Sequence, residues 1–219
     1  MIRKNMRFIL KIIFLLLFFN FLIIKTSFSS NSNSDFNNWL SSFKALALKE
    51  GISKITIDKV FENVKFLDQV IKYDRKQPEF FEDTLTYVSK RATNQRAKKA
   101  KILLKKNSNL FLKIENEFNV EKEILLALWG IETNFGKHVG KMDIISCLAT
   151  LSYDKRRSEF FSSQLLTLLT LIDKKLIDPK LLYGSWAGAF GNFQFMPSSI
   201  EKYAIDYDNN NKIELKKSL

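Results

Sequence analysis

The sequence predicts a mainly α domain, and three observations carry that prediction. Apolar residues recur at helical spacing along much of the chain, no run alternates with the period of a strand, and only three prolines interrupt 219 residues. A content of 46% hydrophobic and 26% charged residues is that of a globular chain, and the length suits one domain of ordinary size.

The elements follow in order. Arg3, Lys4, Arg7 and Lys11 precede the apolar runs Ile12 to Phe19 and Phe21 to Ile24, and Ser27 and Ser29 are small residues where a signal peptidase reads. Residues 1–29 are therefore expected to be a signal peptide, or a signal anchor if uncleaved. Residues 30–35 read as a polar linker and 36–219 as the domain. Phe36, Trp39, Leu40, Phe43 and Leu46 or Ala47 repeat at helical spacing until Gly51 stops the turn. A second helix is expected after Ser53 or Thr56, and residues 72–78 read as a loop. A long basic helical region follows, carrying Lys90, Arg91, Arg96, Lys98, Lys99, Lys105 and Lys106, whose charges are expected to form a solvated face. Further helices are expected over 119–134, 158–174 and, after Met196-Pro197, 198–203.

The formal charge is +12. Five of the 35 cations and none of the 23 acids lie within residues 1–29, so the remainder stays basic, with 30 cations. Such a surface favours an anionic polymer, an anionic membrane or nucleic acid. A leader directs the chain away from nucleic acid, and no nucleic-acid-binding motif is present. The single cysteine, Cys147, excludes an intrachain disulfide and sits in an apolar stretch, where it is expected to be a buried small hydrophobe.

The most informative residue is Glu132. In a helix over 119–134, Leu125, Leu128, Trp129 and Glu132 fall at i, i+3, i+4 and i+7, so an acid shares the apolar side. Desolvation there raises a carboxyl pKa, as proton donation near neutral pH requires. The competing reading is a helix-end acid paired with Lys137. Cleavage of a glycosidic bond needs such an acid and, in an ordinary hydrolase, a second carboxylate, for which Asp143 and Asp154 are the candidates.

The run Trp129-Gly130-Ile131-Glu132-Thr133-Asn134-Phe135-Gly136, the Gly184 to Ser199 segment, the Met142 to Leu151 run, Arg156-Arg157-Ser158-Glu159-Phe160-Phe161 and Asp74-Arg75-Lys76-Gln77-Pro78-Glu79-Phe80 together resemble the membrane-bound lytic murein transglycosylase B family. The resemblance extends from about Phe36 to Leu215. It implies a lysozyme-like lytic transglycosylase domain in the periplasm, acting on the glycan strands of peptidoglycan without a required cofactor. It also implies a single catalytic carboxylate, Glu132, acting as general acid and then base while the 6-hydroxyl of the muramic residue replaces water and leaves a 1,6-anhydro end. Ser185 matches a serine that holds the acetamido group, Gln194 a cleft glutamine, and Arg156 and Arg157 a pair that engages the acidic peptide stem. Read from the residues alone, these are instead a helix N-cap, a satisfied buried amide and a solvated cation pair. Membrane attachment is expected only through an uncleaved leader.

Asp206, Asp208, Asn210, Lys212 and Glu214 occupy positions 1, 3, 5, 7 and 9 of an EF-hand-like loop. Asn211 stands at position 6, where glycine is wanted, and Lys217 at position 12, where a carboxylate is wanted, so any calcium site is expected to be weak. The resembled family continues well past this loop, so the domain is expected to be incomplete at its C-terminus. Two readings then stand: an active lytic transglycosylase, or a catalytically inactive remnant that binds peptidoglycan or a partner protein.

Overall fold

The computed structural model describes residues 34–77 and 81–215. The chain divides into two compact units, Met1–Ala45 and Leu46–Leu219. Residues 34–49 form the first described helix, α1. Within the first unit, Trp39 stacks between Phe36 and Phe43, with ring centroids 5.7 and 5.2 Å away. The apolar repeat thus forms the helix it predicted. The leader and most of the expected linker lie outside the described residues, and linker positions 34 and 35 already belong to α1.

The second unit is built from α2 (Lys54–Val60), α3 (Asp68–Arg75), α4 (Thr84–Arg91), α5 (Asn94–Lys106), α6 (Ser108–Phe118), α7 (Lys122–Thr133), α8 (Ile144–Tyr153), α9 (Ser158–Asp173) and α10 (Pro197–Tyr203). Two two-residue strands, β1 (Met142–Asp143) and β2 (Tyr183–Gly184), pair antiparallel, Met142 opposite Gly184. Helix starts are set by short polar side chains that accept first-turn amides, as at Ser53, Asp83, Thr93 and Asp143. Proline opens α10 at the position where a missing N–H costs nothing.

Two packing groups result. In one, α8 is buried from Ile144 to Ser152 and is covered by α9 and α3, with α2 and α10 packed on α9. A helix apolar all round must lie inside. In the other, α5, α6 and α7 enclose Phe111, Leu126 and Trp129, flanked by Leu103, Leu104, Leu125 and Phe135, with Phe193 reaching in from the glycine-rich segment. That segment spans the two groups.

Three expectations are corrected. The loop over 72–78 is helical as far as Arg75, because Val70 and Asp74, four residues apart, are both buried. The basic region is two helices with a break at Ala92, where Thr93 caps the second. The helix over 119–134 begins later, at Lys122, because Asn119 takes a left-handed conformation (φ 53°) that ends α6.

Candidate active site

Helix α7 ends one residue after Glu132. Asn134 (φ 52°), Phe135 (φ 59°) and Gly136 (φ 78°) turn the chain sharply away. The buried stripe of α7 is Leu126, Trp129, Gly130 and Thr133. Leu125, Leu128 and Glu132 form the neighbouring stripe, and this stripe is open: Leu128 is 48% exposed while Trp129 is 5% exposed. Glu132 is itself exposed by area, which corrects the expectation of an acid inside the apolar side. Its surroundings still desolvate it from the protein side, and burial alone pushes its carboxyl above the ordinary glutamate value. The direction follows from what is missing: among the described residues no ion pair or hydrogen bond reaches its carboxylate, so nothing opposes desolvation. Lys137 does not pair with it.

The next residue does what Glu132 does not. Thr133 is fully buried, donates its hydroxyl to the carbonyl of Asn192 at 2.8 Å and accepts the amide of Gly136 at 3.0 Å. The side-chain oxygen of Asn192 accepts Trp129 Nε1 at 3.3 Å, and its amide donates to Leu215 at 2.8 Å. Two of these contacts, from Thr133 and Trp129 to Asn192, fasten the end of α7 to the glycine-rich segment. Neither Thr133 nor Asn192 was singled out from the sequence, although Thr133 lies four residues after Trp129 and seven after Leu126, a polar side chain on the buried stripe.

The glycine-rich segment is held to the chain just after Glu132. Cβ atoms at Gly140 would lie 2.1 Å from the carbonyl group of Gly184, so this close crossing excludes any side chain there. Gln194 spends both amide hydrogens on the carbonyls of Val139 (3.2 Å) and Gly191 (3.0 Å), leaving its side-chain oxygen as an acceptor. Ser185 accepts the amide of Ala189 at 3.0 Å through its hydroxyl oxygen, which leaves its O–H free to donate outward. Ser185 and Gln194 are both half-buried.

Arg156 and Arg157 lie elsewhere, around Asp74. Arg156 Nε and both arginines' Nη2 donate to that carboxylate, and Arg75 reaches it at 2.6 Å while also bridging to Asp154 at 2.9 Å. The ring of Tyr73, next to Asp74, lies 6.4 Å from that of Trp186. Burial would raise the Asp74 pKa, but the hydrogen bonds and charges of Arg156 and Arg157 outweigh it and hold the carboxyl below the usual aspartate value. The arginines therefore face an internal acid.

The two candidates for a second catalytic carboxylate are also engaged. Asp143 caps α8, accepting Ile145 N, Ser146 N and Ser146 Oγ, and Asp154 is held by Arg75. Cys147 is buried, and desolvation, aided by the Asp143 charge, pushes its thiol pKa up to about 12, which makes it inert as a nucleophile.

The acidic loop closes on itself. Asp206 accepts the amides of Asn210 (3.1 Å) and Asn211 (2.6 Å), and the Asn210 amide donates to Asp208 and Glu214 at 2.9 and 3.2 Å. Asn211 adopts φ 64°, the conformation glycine would supply. Among the described residues no three acidic, histidine or cysteine side chains converge to hold a metal. Lys212 contributes no side-chain ligand, and Lys217 lies outside the described residues.

Residues 35–219 match the family described as Transglycosylase SLT domain, and the chain belongs to that family. Over 99 residues, 45% of this chain and 27% of the relative, it is 43% identical to membrane-bound lytic murein transglycosylase B of Escherichia coli K12. SltB3 of Pseudomonas aeruginosa, solved with NAG-NAM-pentapeptide, superposes with a TM-score of 0.79 at 33% identity, over 84% of this chain and 49% of that one. Slt35 of E. coli, solved in complex with calcium, gives 0.68 at 31% identity over 84% and 58%. The fold is thus that of the lysozyme-like lytic transglycosylases, and the chain spans about half the length of these solved relatives.

Proposed function

We propose that this member of the transglycosylase SLT domain family cleaves the MurNAc-GlcNAc bond of peptidoglycan without water, with Glu132 as its single acid and base. The observation that supports this most is the state of Glu132: a carboxyl raised by desolvation, with no cation beside it among the described residues, on a surface stripe of a helix fastened to the glycine-rich segment. Asp143 and Asp154 are occupied, so a one-carboxylate route suits this chain better than a hydrolase pair. Glu132 donates its proton to the glycosidic oxygen as the bond to the anomeric carbon breaks. The resulting carboxylate accepts the proton of the muramic 6-hydroxyl as that oxygen bonds to the same carbon. The product is a 1,6-anhydro end, and Glu132 regains its proton. Ser185 would donate to the acetamido carbonyl, and Gln194 would accept from a sugar hydroxyl or amide. The substrate class rests on the neighbours, since SltB3 was solved with a peptide-bearing glycan fragment.

Mass spectrometry of digested peptidoglycan tests the proposal. The chain lacking residues 1–29 should release 1,6-anhydromuropeptides, and Glu132→Gln should lower the rate by at least the roughly 10²–10⁴-fold that a general acid contributes. Reducing muramic ends would indicate hydrolysis instead. Absence of product from the unmutated protein would support the inactive peptidoglycan-binding or partner-binding reading.

We place the protein in the periplasm on the strength of its leader, with membrane attachment only through an uncleaved leader. No helix among the described residues is long and apolar enough to cross a membrane. A mature mass beginning near Ser30 would establish cleavage, and the full-length mass in a membrane fraction would establish an anchor. The 206–217 loop should bind calcium no more tightly than the roughly 10⁻⁴–10⁻³ M of weak extracellular modules. Calorimetry showing a micromolar site would overturn that expectation.

A further inference from the structure

We infer that the concavity between α5 and the end of α7 is a binding site for carboxylates of the peptide carried by the substrate glycan. This rests on the lytic transglycosylase reading above. The concavity holds about 430 Å³ and is lined by Lys90, Gln95, Arg96, Lys99, Asn134 and Lys137. Thr93 completes the lining, and four of the seven residues are cations. Only Lys90 has a carboxylate partner among the described residues, Glu82 at 2.7 Å. Arg96 and Lys99 are half-buried and Lys137 is exposed, and no acid pairs with any of the three. Arg96 is fixed instead by a hydrogen bond to the carbonyl of Arg91, and Lys99 by the carbonyl of Asn134 at 3.1 Å and the face of Phe135 at 5.0 Å. Each contact holds a cation in place without neutralising it. An ammonium has three donors, so Lys99 retains two.

Like charges held together in partial shelter from water repel each other, and an anion relieves that repulsion while gaining charge-assisted hydrogen bonds. The first turn of α5, capped by Thr93, opens on the same concavity, and its dipole adds to the positive field. The sugars are N-acetylated and the muramic lactyl carboxyl is tied up as an amide where the peptide is attached, so the charges on such a substrate belong to its peptide. Reach is adequate. Asn134 is two residues and Lys137 five residues beyond Glu132, at most about 8 and 19 Å along the backbone, and a five-residue peptide extends about 17 Å. The arginines the resemblance assigned to the peptide are already engaged with Asp74, whereas among the described residues no acid engages Arg96, Lys99 or Lys137.

The test is calorimetry on the Glu132→Gln protein, which binds without turnover. Three ligands are compared: NAG-NAM-pentapeptide, the same fragment with its peptide carboxyl groups amidated, and peptide-free NAG-NAM with its lactyl carboxyl amidated. The free-carboxylate fragment should bind about 10-fold more tightly than the amidated one at low salt, and the preference should shrink as salt screens it. Adding Lys137→Glu, an exposed substitution that leaves the core intact, should erase the preference while leaving binding of the peptide-free fragment unchanged. Equal affinity for the charged and amidated fragments overturns the proposal. So does a preference that survives Lys137→Glu, or one that is lost with Arg156→Gln instead. If the preference is present but the unmutated chain yields no anhydro product, the site stands and the lytic reading falls.

Discussion

Asp74 and Glu132 are carboxylates near the ends of two helices of the same unit, and their surroundings move their protons in opposite directions. Asp74 is 3% exposed, yet burial does not win, because three arginines converge on it. Glu132 is far more open, yet burial does win, because among the described residues no cation or donor reaches it. Partners rather than depth therefore decide which acid keeps its proton. The difference separates a tie from an unengaged group: Asp74 joins α3 to the start of α9 as a permanent anion, and Glu132 keeps the raised carboxyl that the proposed acid and base role requires.

The largest stability effect should come from breaking the tie. Asp74→Asn leaves Arg75, Arg156 and Arg157 facing one another without their common anion. Their side chains keep roughly 40% exposure, so the loss should be about 2–3 kcal/mol, below the roughly 3–5 kcal/mol of a fully buried pair. Urea unfolding measures it. A change under about 0.5 kcal/mol, typical of a surface substitution, would mean that the arginines are solvated in the native protein and that the comparison fails on this side.

Acidity should distinguish the two carboxyls next. The native pKa of Asp74 lies below its ordinary 3.8, so its contribution to stability is complete above that value and is lost as pH falls through the native pKa. Asp74→Asn should accordingly flatten the acid limb of a stability profile. The native pKa of Glu132 lies above 4.5, so the folded state binds more protons than the unfolded state just above that value, and stability falls as pH rises through the window. Glu132→Gln should remove that penalty and be slightly more stable at neutral pH. Profiles that shift in the same direction would contradict the opposed assignments. The smallest effect is read on the carboxyl itself: a carbon-13 titration of Glu132, assigned with Glu132→Gln, should give a midpoint above 4.5, and one at or below it would remove the desolvation argument.

The legibility of this chain follows its periodicity. The helices over Lys54–Val60, Ser158–Asp173 and Pro197–Tyr203 were readable because their caps, spacing or proline announce them. Helix α8 was not, since a continuous apolar run such as 144–151 has no polar face from which to read a period. Helix α6 escaped for a different reason: its boundaries are Asn107 and Asn119, with no side-chain cap to mark its start. Glu132 was proposed from its helical spacing and Ser185 and Gln194 from the resemblance, while the contact of Thr133 with Asn192 was missed because the two lie 59 residues apart in sequence.

By itself the sequence determined the helical class, the placing of Glu132 on a helix and the glycine-rich character of the 184–199 segment, because all of these depend on spacing or composition over a few residues. Tertiary structure decided the rest. It turned the Leu125, Leu128 and Glu132 stripe outward, bound Arg156 and Arg157 to Asp74 from 82 and 83 residues away, and left Arg96, Lys99 and Lys137 around one concavity without an acid. Desolvation and charge pairing depend on which distant atoms come within a few ångströms of a group, and only the folded chain brings those atoms there.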